Sequence, residues 1–168
     1  MTVTPPPGYE PSEPPAFDGG ADADRDALLR LYYDFRLAND ALDQPALRAL
    51  WSDAPWCEFF NTNGHTYHGL EDWMRIWTHY KTRLRLVKPG GSGRIRIVIR
   101  GDMALITDDN VGRYWTWIGA REQPTFLVDK PYVRATQVCL KDGGAWKVVH
   151  AHFSSGRSGP RPDQGGPE

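Results

Sequence analysis

Paired cysteines, long apolar runs, a surplus of charge and a phosphate-cradling glycine loop are all missing from these 168 residues. Cys57 and Cys139 fall on separate expected strands with no ligand-type spacing, which argues against a disulfide framework or a zinc finger. No stretch approaches the roughly 18 apolar residues of a membrane helix, and no signal-like run with a small-residue cleavage site opens the chain. Twenty basic and 21 acidic residues leave a net charge of −1, so no bulk field selects nucleic acid or an anionic membrane. G-x-S-x-G and Walker-type loops are absent, and so are internal repeats. The expectation is a cytoplasmic protein with reduced thiols and no cofactor.

What is present is apolar and aromatic: 40% hydrophobic residues and seven tryptophans suit one domain with a sizeable core. Six prolines between Pro5 and Pro15 and the Gly19-Gly20 pair mark residues 1–21 as a flexible tail, and residues 156–168 read the same way. The domain is therefore placed at 22–155. Leu28, Leu29, Leu31, Tyr32, Phe35 and Leu37 predict a helix over Asp24–Asn39, capped by Asp24 or Asp26. A shorter helix is expected over Gln44–Ser52, a strand over Trp56–Phe60, and a hairpin through Asn63-Gly64 to Tyr67. Leu70, Trp73, Met74, Trp77 and Tyr80 predict a third helix from Gly69 to about Leu84, with Lys81, Arg83, Arg85 and Lys88 as its solvated end. Strands follow near Arg94–Arg100, Met103–Asp108 and Val111–Ile118. Early helices and late strands give an α+β class rather than alternating βαβ units.

The stretch Tyr132–Ser154 organises the rest. It reads as a hairpin about Asp142-Gly143-Gly144. Strict alternation puts Tyr132, Arg134, Thr136, Val138 and Leu140 on one face, with Trp146, Val148, His150, His152 and Ser154 opposite them. The expected pairings are Leu140 with Trp146, Thr136 with His150 and Arg134 with His152. Such a face, greasy at the turn and polar at the far end, suits the wall of a concave ligand pocket.

The positions Arg134, Thr136, Val138, Gly144, Trp146, Val149, His150, His152 and Ser154 resemble the closing hairpin of SnoaL-like domains in the nuclear transport factor 2-like superfamily. They are similar in particular to the association domain of calcium/calmodulin-dependent kinase II and its bacterial relatives. The resemblance implies a curved mixed or antiparallel sheet wrapped around a long helix, a cone in α-α-β-β-α-β-β-β-β order. It also implies a homodimer paired through the sheet's outer face. Superfamily members include isomerases, polyketide cyclases, dehydratases and modules that only bind or oligomerise.

Two functions stand side by side on these residues. The first is a cofactor-independent acid–base enzyme, of isomerase, cyclase or dehydratase type, acting on a cyclic or aromatic substrate. His150 and His152 would move protons and Arg134 would hold an anionic or carbonyl oxygen. Tyr32, Trp56, Tyr67, Trp77, Trp115, Tyr132 and Thr136 would line the substrate site. The second is a non-catalytic ligand-binding or oligomerisation module. Ketosteroid isomerases of the superfamily carry an essential Asp on the first strand, where this chain has Phe59 beside Glu58. That leaves Asp108 or Asp109 as a replacement base, unless both simply form a β-turn. His150-x-His152 also has zinc-type spacing, with His65, His68 or Glu58 as a third ligand.

Overall fold

A computed structural model describes residues 3–118, 133–156 and 159–166. The leucine and aromatic stripe of the first helix folds as expected over α1, Asp22–Asp40, and buries Leu28, Tyr32 and Phe35 completely. Neither Asp24 nor Asp26 caps it; Ala21 occupies the N-cap without a side-chain bond. Asp43 instead caps α2, Gln44–Leu50, by accepting from the Ala46 N–H, with Pro45 in the first turn. The strands β2, Glu58–Phe60, and β3, Thr66–His68, lead into α3, Gly69–Lys81. Then come β4, Leu84–Pro89; β5, Ile95–Arg100; β6, Met103–Asp108; β7, Arg113–Trp117; β8, Val133–Asp142; and β9, Ala145–Ser155.

Two parts of the chain depart from the sequence reading. Residues read as a helix end form β4, which pairs antiparallel with β7 and sets Leu86 against Trp115. The alternation Leu84, Leu86 outweighs the helical signal of the basic run. The proline-rich segment read as a flexible tail carries β1, Ala16–Asp18, parallel to β5, and buries the Tyr9 ring. Here one aromatic and a strand edge compensate the ordering entropy that the composition alone could not.

Strands β1-β5-β6-β8-β9-β2-β3 hydrogen-bond in that order into a seven-stranded mixed sheet, curved and unclosed, with β4–β7 as a separate pair. The α+β class is as expected; β1 and β4 are additional, and five strands rather than four follow β4. The concave face is a lattice of inward side chains. One row runs Ile97, Ile106, Gln137, Ala151, Phe59, Tyr67; the next runs Ile95, Asp108, Ala135, Phe153. Trp73 of α3 lies over it, 5.2 Å from Phe59, 5.6 Å from Trp51, 5.5 Å from Trp77 and 5.1 Å from Tyr67, ring centre to ring centre. Each large side chain buried in this way stabilises the fold by about 1.5–3 kcal/mol.

At the other end of the sheet, Gly143 and Gly144 turn the β8–β9 hairpin with φ of 55° and 85°, a region other residues enter at a cost. Beside that turn the Asp24 carboxylate accepts from Lys141 Nζ at 2.6 Å and from Trp146 Nε1 at 2.9 Å. Those two bonds, Lys141 first, hold the Asp24 carboxyl below its ordinary 3.8. A depressed folded-state pKa contributes stability above the unfolded value, and that contribution disappears as pH falls through the folded one. Asp24→Asn is therefore expected to lose stability at neutral pH and to show a flatter acid limb than the parent below pH 3.8. Thermal melts taken across that range check it; parallel acid limbs would remove Asp24 from the acid response.

Candidate functional site

The hairpin that organises the sequence has a β-bulge between Val138 and Cys139, opposite Val148-Val149. A bulge adds one residue to one strand and resets its alternation. Upstream, Trp146 and Val148 point inward; downstream, Val149, Ala151 and Phe153 do. His150 and His152 consequently lie on the outer face with Arg134, Thr136, Val138 and Leu140. The pairings shift too: Trp146 faces Lys141, His150 faces Val138, His152 faces Thr136 and Arg134 faces Ser154. The face predicted to line the pocket is the outside of the sheet.

On that outside, Phe60 packs its ring edge-on against His150 and His152, at 5.1 and 5.6 Å. The His150 Nδ1–H donates to the Glu58 carbonyl at 2.7 Å, while the Glu58 carboxylate meets His68 Nδ1 at 3.2 Å. Among the described residues no group of three His, Cys, Asp or Glu side chains comes together to hold a metal ion. Trp56 is 60% exposed in the turn before β2 and stays out of the core. Tyr132 lies outside the described residues. Tyr32, Tyr67, Trp77 and Trp115, by contrast, belong to the core or pack against it.

The interior holds a polar cluster of which only Tyr32 and Asp108 stand out in the sequence. Tyr32 on α1 donates a short hydrogen bond to Asp108 Oδ2 at the end of β6. Asp108 Oδ1 accepts from the Gly93 N–H at 2.9 Å and the Asn110 N–H at 2.8 Å. Arg36, one helical turn beyond Tyr32, lies 3.8 Å from Asp108 Oδ2 and donates to Ser92 Oγ, the Gly90 carbonyl and the Gly112 carbonyl at 2.7, 2.7 and 2.9 Å. Tyr9 lies under the guanidinium, 5.2 Å from ring centre to carbon, with its hydroxyl on Asp40 at 3.0 Å. Burial opposes the charge of Arg36, yet Tyr32, Asp40 and Asp108 around it hold its pKa above the usual range. Burial raises the pKa of Tyr32, so its phenol stays a proton donor. Burial also pushes the Cys139 thiol up to about 12, so it remains an inert apolar group on the same face.

Gln137 sits at the centre of the concave face and is fully buried, and neither end of its amide has a hydrogen-bond partner among the described residues. Its flanking inward neighbours along β8 and β9, Ala135 and Ala151, are among the smallest side chains on that face. Asp108 lies diagonally across the β6–β8 pair, a separation of about 7–8 Å. The Tyr33 hydroxyl and the Trp73 and Trp77 indole N–H groups are also buried without partners among the described residues. At the β3 edge of the same face a groove of about 550 Å³, lined by Asn63, His65, Tyr67, His79 and Tyr80, opens to solvent. Alternation groups Gln137 with Ala135 and Cys139 on one face of β8, but the sequence does not say that this face is the inward one.

A curved sheet with its unpartnered polar atoms on the inside, closed over by α1 and α3, defines an α+β cone protein. The chain belongs to the SnoaL-like domain family, whose pattern matches residues 27–158. Its fold is similar to that of a candidate dehydratase of the NTF2-like family from Streptomyces avermitilis, at 19% identity and TM-score 0.62 over 82% of this chain and 99% of that one. A candidate ketosteroid isomerase from Shewanella frigidimarina matches at 17% identity and TM-score 0.55, over 83% and 99%. A candidate scytalone dehydratase from Novosphingobium aromaticivorans matches at 15% identity and TM-score 0.61, over 80% and 85%. At such identities the likeness is one of fold. No curated protein matches the chain. No helix among the described residues is long and apolar enough to cross a membrane.

Proposed function

We propose that this protein is a cofactor-independent acid–base enzyme of isomerase or dehydratase type, acting on a cyclic or aromatic small molecule held against the concave face. The observation that carries this reading is the unpartnered Gln137 amide. A buried amide without partners costs about 1–3 kcal/mol, and a ligand oxygen or hydroxyl would relieve it. A ring compound spanning the 7–8 Å diagonal would reach Gln137 with one polar group and the Tyr32–Asp108 pair with another. Tyr32 would protonate or polarise the substrate oxygen, and Asp108 would hold the phenol in place and balance its charge. Trp73, Trp77 and Tyr67 would stack on the ring, and the groove by Tyr67 and Tyr80 would admit it. The solved folds whose names include isomerase and dehydratase support this class of chemistry.

A ligand-binding module without turnover is the second reading. It is favoured by the saturation of Asp108, whose two oxygens already meet Tyr32, Arg36 and two backbone N–H groups. Both readings accommodate a homodimer through the outer face, where Met103 and Leu105 are exposed, and a reducing cytoplasm, which suits the unpaired buried Cys57 and Cys139.

Tryptophan fluorescence, titrated with cyclic ketones, aromatic acids and polyketide-like rings, is expected to saturate with one class. Gln137→Met should weaken that response by about ten-fold while raising the melting temperature, because methionine removes the unsatisfied amide. A variant that binds as before, or that melts lower, would mean Gln137 serves the fold instead. Turnover of the bound compound then separates enzyme from binding module.

A further inference from the structure

Outside the cone, the polar row that faces solvent forms a second cavity. We infer that the outer face of the sheet, across β5, β6 and β8, binds a small molecule through a carboxylate or phosphate group held by Arg96, Arg134, Thr107 and Thr136. The register places Arg96 opposite Thr107 and Thr107 opposite Thr136, so the two threonine Cβ atoms lie about 5 Å apart between flanking arginines. Arg134 is two residues along β8 from Thr136 and on the same face. His152 is paired with Thr136 from the next strand and adds an imidazole to the row. Arg96, Thr107, Arg134 and Thr136 border a cavity of about 410 Å³, larger than a bare phosphate needs, with His152 beyond its rim.

The charges around the cavity divide into two groups. Arg94 is committed: its Nε donates to Asp109 at 2.8 Å and lies 3.9 Å from Glu13. Asp108, beneath the cavity, is compensated from the interior by Arg36. Among the described residues neither Arg96 nor Arg134 makes a close ion pair, Asp18 acting on Arg96 only at longer range behind its bond to Arg100; Arg134 donates to the Ser155 carbonyl at 3.3 Å. Two uncommitted guanidinium forks and two hydroxyl donors around one hollow are an arrangement for an oxyanion, since arginine pairs with planar or tetrahedral oxygens in two-pronged fashion. The side chains are solvent-exposed or half-buried, so the expected affinity is salt-dependent. The arginine and threonine side chains lie on the outer face, while Ile95, Asp108 and Ala135 of the inward row border the same hollow from beneath.

Isothermal titration calorimetry of the full chain with inorganic phosphate, and separately with succinate, tests this against sodium chloride at matched ionic strength. Saturable heat is expected with at least one of them. Phosphate alone assigns a phosphorylated ligand, succinate alone a carboxylate, and both a site that reads only the charge and its oxygens. Arg96→Gln, Arg134→Gln and Thr136→Val should each weaken binding, the arginine variants by about ten-fold or more. Arg30→Gln, which removes an exposed cation from α1, should leave it unchanged. Thr136→Val keeps a β-branched residue in the strand and so tests the site even if an arginine variant fails to fold. No saturable heat with either anion, or the same loss in Arg30→Gln, overturns the inference.

Discussion

Arg36→Met is expected to destabilise the protein by about 3–5 kcal/mol. Methionine fills much of the same volume, so the loss is not one of packing. What it leaves behind is the buried Asp108 carboxylate without its counter-charge, together with the Gly90 and Gly112 carbonyls and Ser92 Oγ without their donor. The loops 90–93 and 108–112 are tied to α1 through this side chain and through the Tyr32–Asp108 bond, and Tyr9 packs on its face. Urea unfolding should show a lower midpoint with an unchanged slope. Adding Asp108→Asn should recover part of the loss, because removing both charges leaves nothing uncompensated. A single variant within about 1 kcal/mol of the parent would show that the two loops are held by other contacts.

Tyr32→Phe is expected to lower turnover of an identified substrate by about 10²–10⁴-fold, the range for loss of a positioned proton donor. Its dissociation constant from tryptophan quenching should change far less, since the ring stays and only the hydroxyl goes. Stability should fall by about 1–2 kcal/mol, reflecting one buried hydrogen bond to a charged partner. The alkaline side provides a second readout. Burial raises the folded-state pKa of Tyr32 above its ordinary 10.0, so its neutral form stabilises the fold below that pH and the contribution is lost as pH rises beyond it. The phenylalanine variant should lose stability more gently above pH 10 than the parent. Undiminished turnover in Tyr32→Phe would reassign the proton transfer to other groups.

The cone was legible because its largest signals are periodic and local. The α1 stripe from Leu28 to Leu37 and the α3 stripe from Leu70 to Tyr80 have helical spacing, and Asp142-Gly143-Gly144 is a turn in any context. Which way the strands face was not legible past Val148. Alternation is a count of two, so the extra residue at the bulge turns His150 and His152 outward, and the register at the turn, Lys141 rather than Leu140 against Trp146, puts Arg134 and Thr136 outside with them. Tyr32 was singled out on helix position, but its partner Asp108 looked like a turn residue, because a turn signal carries no information on burial. Arg36 sits between Phe35 and Leu37 on that helix and carries no mark of burial in the sequence. Its partners Ser92, Gly90 and Gly112 lie 54 to 76 residues away and announce themselves only in three dimensions. Tyr9 escaped for a related reason: the prolines around it speak for disorder, and one aromatic contact reverses that locally.

The bulge has one more consequence, for anyone rebuilding the molecule. Because β9 changes phase at Val148-Val149, its two halves are addressed independently. The hairpin tip through Trp146 could be exchanged for another of different length or phase without altering which residues paper the cavity beyond it. Ala151 and Phe153 keep their orientation from β2 and β8, not from the tip. The joint is thus a natural splice point, where a new surface could be grafted onto an unchanged interior.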